Sequence, residues 1–125
     1  MNLIGDFHIH GCYAQACSKN TTIEKLEENA RTKGLHILGT GDCLHPKWYQ
    51  HLTSTLTEDE HGILRTKTNF PFLWQTEVSL MYTHGGKGRR VHHVLLFQNK
   101  EAVEQARDVI LKRWRLDYDG RPIFG

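Results

Sequence analysis

The stretch Asp6-Phe7-His8-Ile9-His10-Gly11-Cys12-Tyr13 decides how this chain is read. It follows the apolar pair Leu3-Ile4 and sets two imidazoles one residue apart. In an extended strand, residues i and i+2 project from the same face. His8 and His10 would then stand side by side, with Phe7 and Ile9 on the opposite face. Two imidazoles on one face of a strand end suit a metal ion. Residues 2–10 therefore read as a buried strand that ends in metal ligands.

The segments that follow alternate between helix and strand. Thr21-Thr22-Ile23-Glu24 has the spacing of a capping box, and Ile23, Leu26 and Ala30 fall on one helical stripe. The expected helix, 21–33, closes at Gly34, which suits the left-handed residue that ends many helices. Leu35 to Thr40 is a second short apolar strand. Strand, helix and strand within about 40 residues is the length of a right-handed parallel crossover. After a polar turn, Gly41 to His45, Pro46 opens a helix running to about Leu56. Residues 57–69 read as a loop with a short strand near Ile63-Leu64. Phe70 to Met81 is a strand region, and Gly85 to Arg90 a flexible basic turn. Val91 to Phe97 is a further strand. Lys100 to Arg115 is an amphipathic helix with Val103, Ala106, Ile110 and Trp114 inward. This alternation indicates an α/β protein with a parallel sheet or barrel.

Composition narrows the classes. The chain has 125 residues, 38% hydrophobic and 24% charged, which fits one packed domain and excludes general disorder. A net charge of +2 does not by itself mark a nucleic-acid binder. Nine histidines in so short a chain point toward metal chemistry. No stretch approaches the roughly 20 apolar residues of a membrane span. With no secretory pattern at the start, a cytoplasmic location is expected. Cys12, Cys17 and Cys43 cannot all pair and read as thiols packed like small hydrophobes. A closed zinc site from these three and His45 is a separate reading, with wide spacing for such a module. A complete eightfold barrel needs about 200 residues or more. The chain stops on Gly125 directly after Ile123-Phe124, so it reads as part of a longer protein.

Each expected strand end carries candidate ligands. The first gives His8 and His10, the second Asp42 and His45, and the third Glu77 within Thr76-Glu77-Val78-Ser79. The fourth carries His92 and His93, of which one must face away if both lie in a strand. Imidazole with carboxylate suits zinc, manganese or iron. Two ions about 3.5–4 Å apart would clamp a phosphate and activate a water for in-line attack. A phosphoester is the natural substrate of such a set. His36, His51, His61 and His84 read as surface residues. Lys19, Lys47, Lys87, Arg89 and Arg90 lie in or near expected loops, either as contacts for DNA phosphates or as solvated charge. Trp48 and Trp74 are candidates for stacking on a base, with core packing the better reading of Trp74.

The ordered blocks "DFHIHGCYAQACSKN", "LGTGDCLHPKW", "TEVS" and "RRVHHVLLF" together resemble the polymerase and histidinol phosphatase (PHP) family. Within it, "SKN", "GTGD..HP" and "DGRPI.G" are most similar to the endonuclease Q branch. The resemblance implies a distorted (β/α)7, TIM-like barrel, of which residues 1–125 would form an incomplete N-terminal part. It implies a phosphoesterase using up to three divalent ions, zinc, manganese or magnesium. Endonuclease Q nicks DNA 5′ to deaminated bases (uracil, hypoxanthine, xanthine) or abasic sites. By the same resemblance, His8 and His10 would hold a first metal, and Glu77 would bridge it to a second. His92 would join the second metal, with His93 as the alternative, and Asp42 and His45 would serve a third. Thr40-Gly41-Asp42 departs from the Thr-Asp-His of many family phosphatases but matches the endonuclease branch. A later histidine and a C-terminal Asp-x-His of the family fall beyond this chain. Damaged DNA is the implied partner. A second chain or second copy would cover the sheet edges and apolar face of an open barrel. The competing readings are a phosphatase of a small phosphorylated metabolite and a non-catalytic fragment that binds metal or a partner.

Overall fold

A computed structural model describes residues 2–15 and 17–125 and contains three helices, each started by a side-chain cap. In α1 (Ile23–Lys33) the Thr22 hydroxyl accepts from the Lys25 N–H at 3.2 Å, and Gly34 ends the helix at φ 79°. In α2 (Pro46–Thr55) the cap is His45, whose Nδ1 accepts from the Lys47 N–H at 3.2 Å. In α3 (Lys100–Ile110) Asn99 Oδ1 accepts from the Ala102 N–H at 2.9 Å. These caps satisfy N–H groups that the first helical turn leaves without partners. The helix expected to reach Arg115 instead ends at Ile110 and passes into a turn over 111–113. There Trp114 packs against Phe124, with ring centroids 4.9 Å apart.

The strands are β1 (Gly5–Asp6), β2 (Ile37–Gly39), β3 (Thr57–Glu58), β4 (Leu64–Arg65), β5 (Pro71–His84), β6 (Lys87–Phe97) and β7 (Ile123–Phe124). They form one mixed sheet in the order β1-β2-β5-β4-β3, with β6 and β7 also paired to β5. β1, β2 and β5 run parallel, as the strand–helix–strand reading requires. β4 and β6 run antiparallel to β5, so the sheet is not the parallel one expected from the alternation. For β6 the reason lies in Gly85-Gly86, whose φ values of 61° and 74° make a two-residue turn. So short a connection permits only antiparallel pairing. Lys87 to Arg90 therefore belong to β6 rather than to a flexible turn.

The first strand is also shorter and less buried than its sequence suggests. Leu3 and Ile4 are 65% and 56% exposed, because among the described residues β1 pairs only with β2. The Asp6 carboxylate accepts the His8 N–H at 3.0 Å, which takes that donor away from any further ladder bond. The core lies between the sheet and the helices and includes Trp48, Leu52, Phe72, Trp74 and Val103, all nearly inaccessible. Trp48 donates its indole N–H to the Thr40 carbonyl at 3.0 Å. Neither Trp48 nor Trp74 has a face free to stack on a base. Among the described residues, no helix is long and apolar enough to cross a membrane.

Candidate metal centre

Glu77 sits within β5 with only 1% of its surface exposed. A buried carboxylate is costly unless partners surround it. Here both oxygens are engaged. Oε2 touches His8 Nε2 directly and lies 3.9 Å from His10 Nε2. Oε1 lies 3.1 Å from His92 Nδ1 and 3.2 Å from Arg121 Nη1. One ligand atom each from His8, His10 and Glu77 falls within 4.8 Å of the others. His8 is exposed, so the group opens to solvent on that side.

Local backbone explains the convergence. His8 and His10 leave β1 in an extended segment, and their rings remain neighbours at 6.0 Å between centroids. The β5–β6 register pairs Ser79 with His92 and Val78 with His93. Glu77 and Ser79 share a face, so His92 points to Glu77 and His93 lies on the opposite face. The Gln75 side-chain oxygen accepts the Gly41 N–H at 3.0 Å and ties the loop after β2 to β5. Gly41, at φ 66°, lies so close to the first loop that a Cβ would stand 2.8 Å from the Ile9 carbonyl oxygen.

Asp42 is fully buried and does not join the three-residue group. Its Oδ1 lies 2.9 Å from His10 Nδ1, and its Oδ2 accepts the Gly11 N–H at 2.6 Å. The hydrogen bond to Asp42 raises the His10 pKa against the opposing effect of burial, and the charges of Asp42 and Glu77 add to the rise. His45 is occupied elsewhere: it caps α2 and stacks on Tyr13 at 4.6 Å. Burial holds its pKa below the usual imidazole value. Among the described residues, Cys12, Cys17, Cys43 and His45 form no such ligand group. Cys43 is inaccessible, and burial pushes its thiol pKa up, as expected of an inert packed cysteine.

Among the described residues, none of the five cations expected at loops forms an ion pair with Glu77. Lys19 and Lys47 are exposed, as are Lys87, Arg89 and Arg90 on β6. Strand alternation places Arg90 on the same ribbon face as His92, with Lys87 and Arg89 on the other.

Two site residues escaped the sequence reading. Gln75 carries no motif, and its role appears only once two loops meet over it. Arg121 reaches Glu77 from the far end of the chain because β7 pairs parallel with β5, Ser79 opposite Ile123. Its signal was the Asp119-Gly120 turn followed by the apolar pair Ile123-Phe124, a turn-then-strand pattern.

No family model matches the chain. The crystal structure of the lesion-specific endonuclease Q from Pyrococcus furiosus aligns with 97% of this chain at a TM-score of 0.82 and 30% identity. The chain resembles endonuclease Q. A second endonuclease Q structure, in complex with a 27-mer duplex carrying an abasic lesion at the active site, aligns with 95% of the chain at a TM-score of 0.80 and 34% identity. An uncharacterised protein of Methanocaldococcus jannaschii is 30% identical over 118 residues, or 94% of the chain. The chain spans 28% of the length of each endonuclease Q structure and 13% of the Methanocaldococcus jannaschii protein. Its mixed α/β architecture is thus that of part of endonuclease Q.

Proposed function

We propose that the chain contributes a divalent-metal-dependent phosphoesterase site that nicks DNA at a damaged base. The observation that carries this reading is the buried Glu77 carboxylate with His8 and His10 gathered on one of its oxygens. Two imidazole nitrogens and a carboxylate oxygen fit zinc or manganese. His8, His10 and Glu77 would hold the ion. A divalent ion in such a set supplies Lewis acidity toward a phosphate ester. Asp42 would keep the His10 proton at Nδ1, leaving Nε2 free for a ligand.

The DNA reading draws on the endonuclease Q complex with an abasic duplex, together with the exposed cations of this chain. Arg90 shares the ribbon face of the centre and would meet the phosphate backbone there. Uracil, hypoxanthine, xanthine and abasic sites are the lesions to be tried.

The test compares nicking of duplexes carrying uracil or an abasic site with phosphate release from a generic monoester, each with manganese or zinc. Lesion-dependent nicking, lost in His8→Ala and in Glu77→Gln, is the expected result. Monoester release without nicking would instead favour a metabolite phosphatase. Wild-type nicking in either variant would contradict the assignment. Metal binding with no turnover on either substrate would favour a binding module.

A further inference from the structure

We infer that the face of the β5–β6 ribbon turned away from Glu77 binds an unpaired nucleic-acid strand, with a base stacked on Tyr82 and phosphates on Lys87 and Arg89. β5 and β6 stay paired out to His84 and Lys87, whereas the pairing of β7 with β5 stops at Leu80. Among the described residues, 81–84 and 87–90 therefore form a two-stranded tongue with no further strand beside it, and all of them are exposed. No acidic residue occurs from Val78 to Lys100. Among the described residues, Lys87, Arg89 and Arg90 enter no ion pair. A projecting surface of one charge sign, its cations not neutralised, is complementary to a polyanion.

The register sets which groups act together. Tyr82 lies opposite Arg89 and His84 opposite Lys87, so these four share one face. Tyr82 is 51% exposed, and among the described residues no other ring or guanidinium packs on it. A ring so placed adds little to the core, yet every base offers a flat face to stack on it. Lys87 and Arg89 stand two strand residues apart, about 7 Å, close to the step between successive phosphates of an extended strand. In a matched duplex the bases are already stacked on one another, so only an unpaired strand can use the ring and the cations together. Glu77, His92 and Arg90 lie on the other face, so this strip does not depend on the phosphoesterase reading.

Fluorescence anisotropy of the 125-residue chain in EDTA tests this. The labelled probes are an oligothymidylate of about ten nucleotides, the same backbone without bases, and a matched duplex of equal length. Oligothymidylate should bind most tightly. Tyr82→Ala should weaken it by about fivefold or more, and Tyr82→Phe, which keeps the ring, should bind as the wild type. Lys87→Ala and Arg89→Ala should each flatten the dependence of log binding constant on log salt by about 0.7. His8→Ala should leave this binding unchanged, so failure of the metal centre and failure of the strip are told apart. Equal binding of the baseless probe, or unaltered affinity in Tyr82→Ala, would overturn the inference. Tighter binding of the matched duplex, or no binding of any probe, would overturn it as well.

Discussion

Asp42 Oδ1 lies 2.9 Å from His10 Nδ1, so the loop after β2 sets the orientation of a ring carried by the loop after β1. The second Asp42 oxygen accepts the Gly11 N–H, which fixes the backbone on which that ring is mounted. A carboxylate on the outer nitrogen of an imidazole is a common way to orient a ligand and raise its basicity. Asp42 itself holds φ at 43°, a conformation that asparagine tolerates and most residues do not.

Asp42→Asn should therefore fold and yet bind zinc more weakly, by roughly 10–100-fold. Asp42→Ala should in addition lose about 1–3 kcal/mol of stability, since the Gly11 N–H is left buried without an acceptor. Zinc competition and urea unfolding separate the two effects. Unchanged zinc affinity in Asp42→Asn would show that Asp42 does not tune His10 as a ligand.

A second carboxylate, Glu27 on α1, serves stability rather than chemistry. It accepts from Arg31 Nε at 2.9 Å and from the Thr68 hydroxyl, joining α1 to the segment before β5. Burial alone would raise its pKa, but Thr68, Thr66 and Arg31 outweigh it and hold the group below its ordinary value. A carboxyl with a depressed folded pKa stabilises above its unfolded value and loses that contribution as pH falls through the folded one. Wild type should exceed Glu27→Gln in urea midpoint at neutral pH, and the gap should close as the solution is acidified below the ordinary carboxyl range. A gap independent of pH would show that ionisation of Glu27 plays no part.

The pieces legible in the sequence were those set by neighbours along the chain. Pro46, Asn99 and the Thr22–Gly34 pair mark helix ends through local hydrogen bonds, and each helix begins near its expected place. The His8/His10 spacing brought two rings together even though the strand beneath them is only two residues long. What was not legible depends on pairing between distant segments. Whether His92 or His93 faces Glu77 follows from the register set by Gly85-Gly86. The approach of Arg121 depends on β7 lying beside β5, and no local pattern at Arg121 specifies that partner. Asp42 and His45 were grouped by proximity in sequence, yet one turns to His10 and the other caps α2.

Gly85 and Gly86 both occupy left-handed backbone, where a side chain costs roughly 1–2 kcal/mol per residue. Replacing both with alanine should lower the thermal midpoint and speed amide exchange along Lys87–Arg90. Gly85→Asn alone, with Gly86 kept, should be tolerated, because asparagine followed by glycine suits this two-residue turn. Equal behaviour of the two variants would place the turn elsewhere.

The faces of the β5–β6 ribbon predict unequal roles for its cations. Arg90 shares the Glu77 face, and Lys87 and Arg89 do not. Arg90→Ala should flatten the dependence of log binding constant on log salt for an abasic duplex by about 0.9, the value of one phosphate contact. Lys87→Ala should change it less. An equal effect would mean that DNA meets both faces or neither.

The most direct measurement is X-ray absorption at the zinc edge of the chain loaded with one equivalent of zinc. A centre at His8, His10 and Glu77 should give a shell of nitrogen and oxygen with imidazole scattering, no sulfur, and loss of bound zinc in His8→Ala. A sulfur shell, placing the ion on Cys12, Cys17 or Cys43, would contradict the centre at His8, His10 and Glu77.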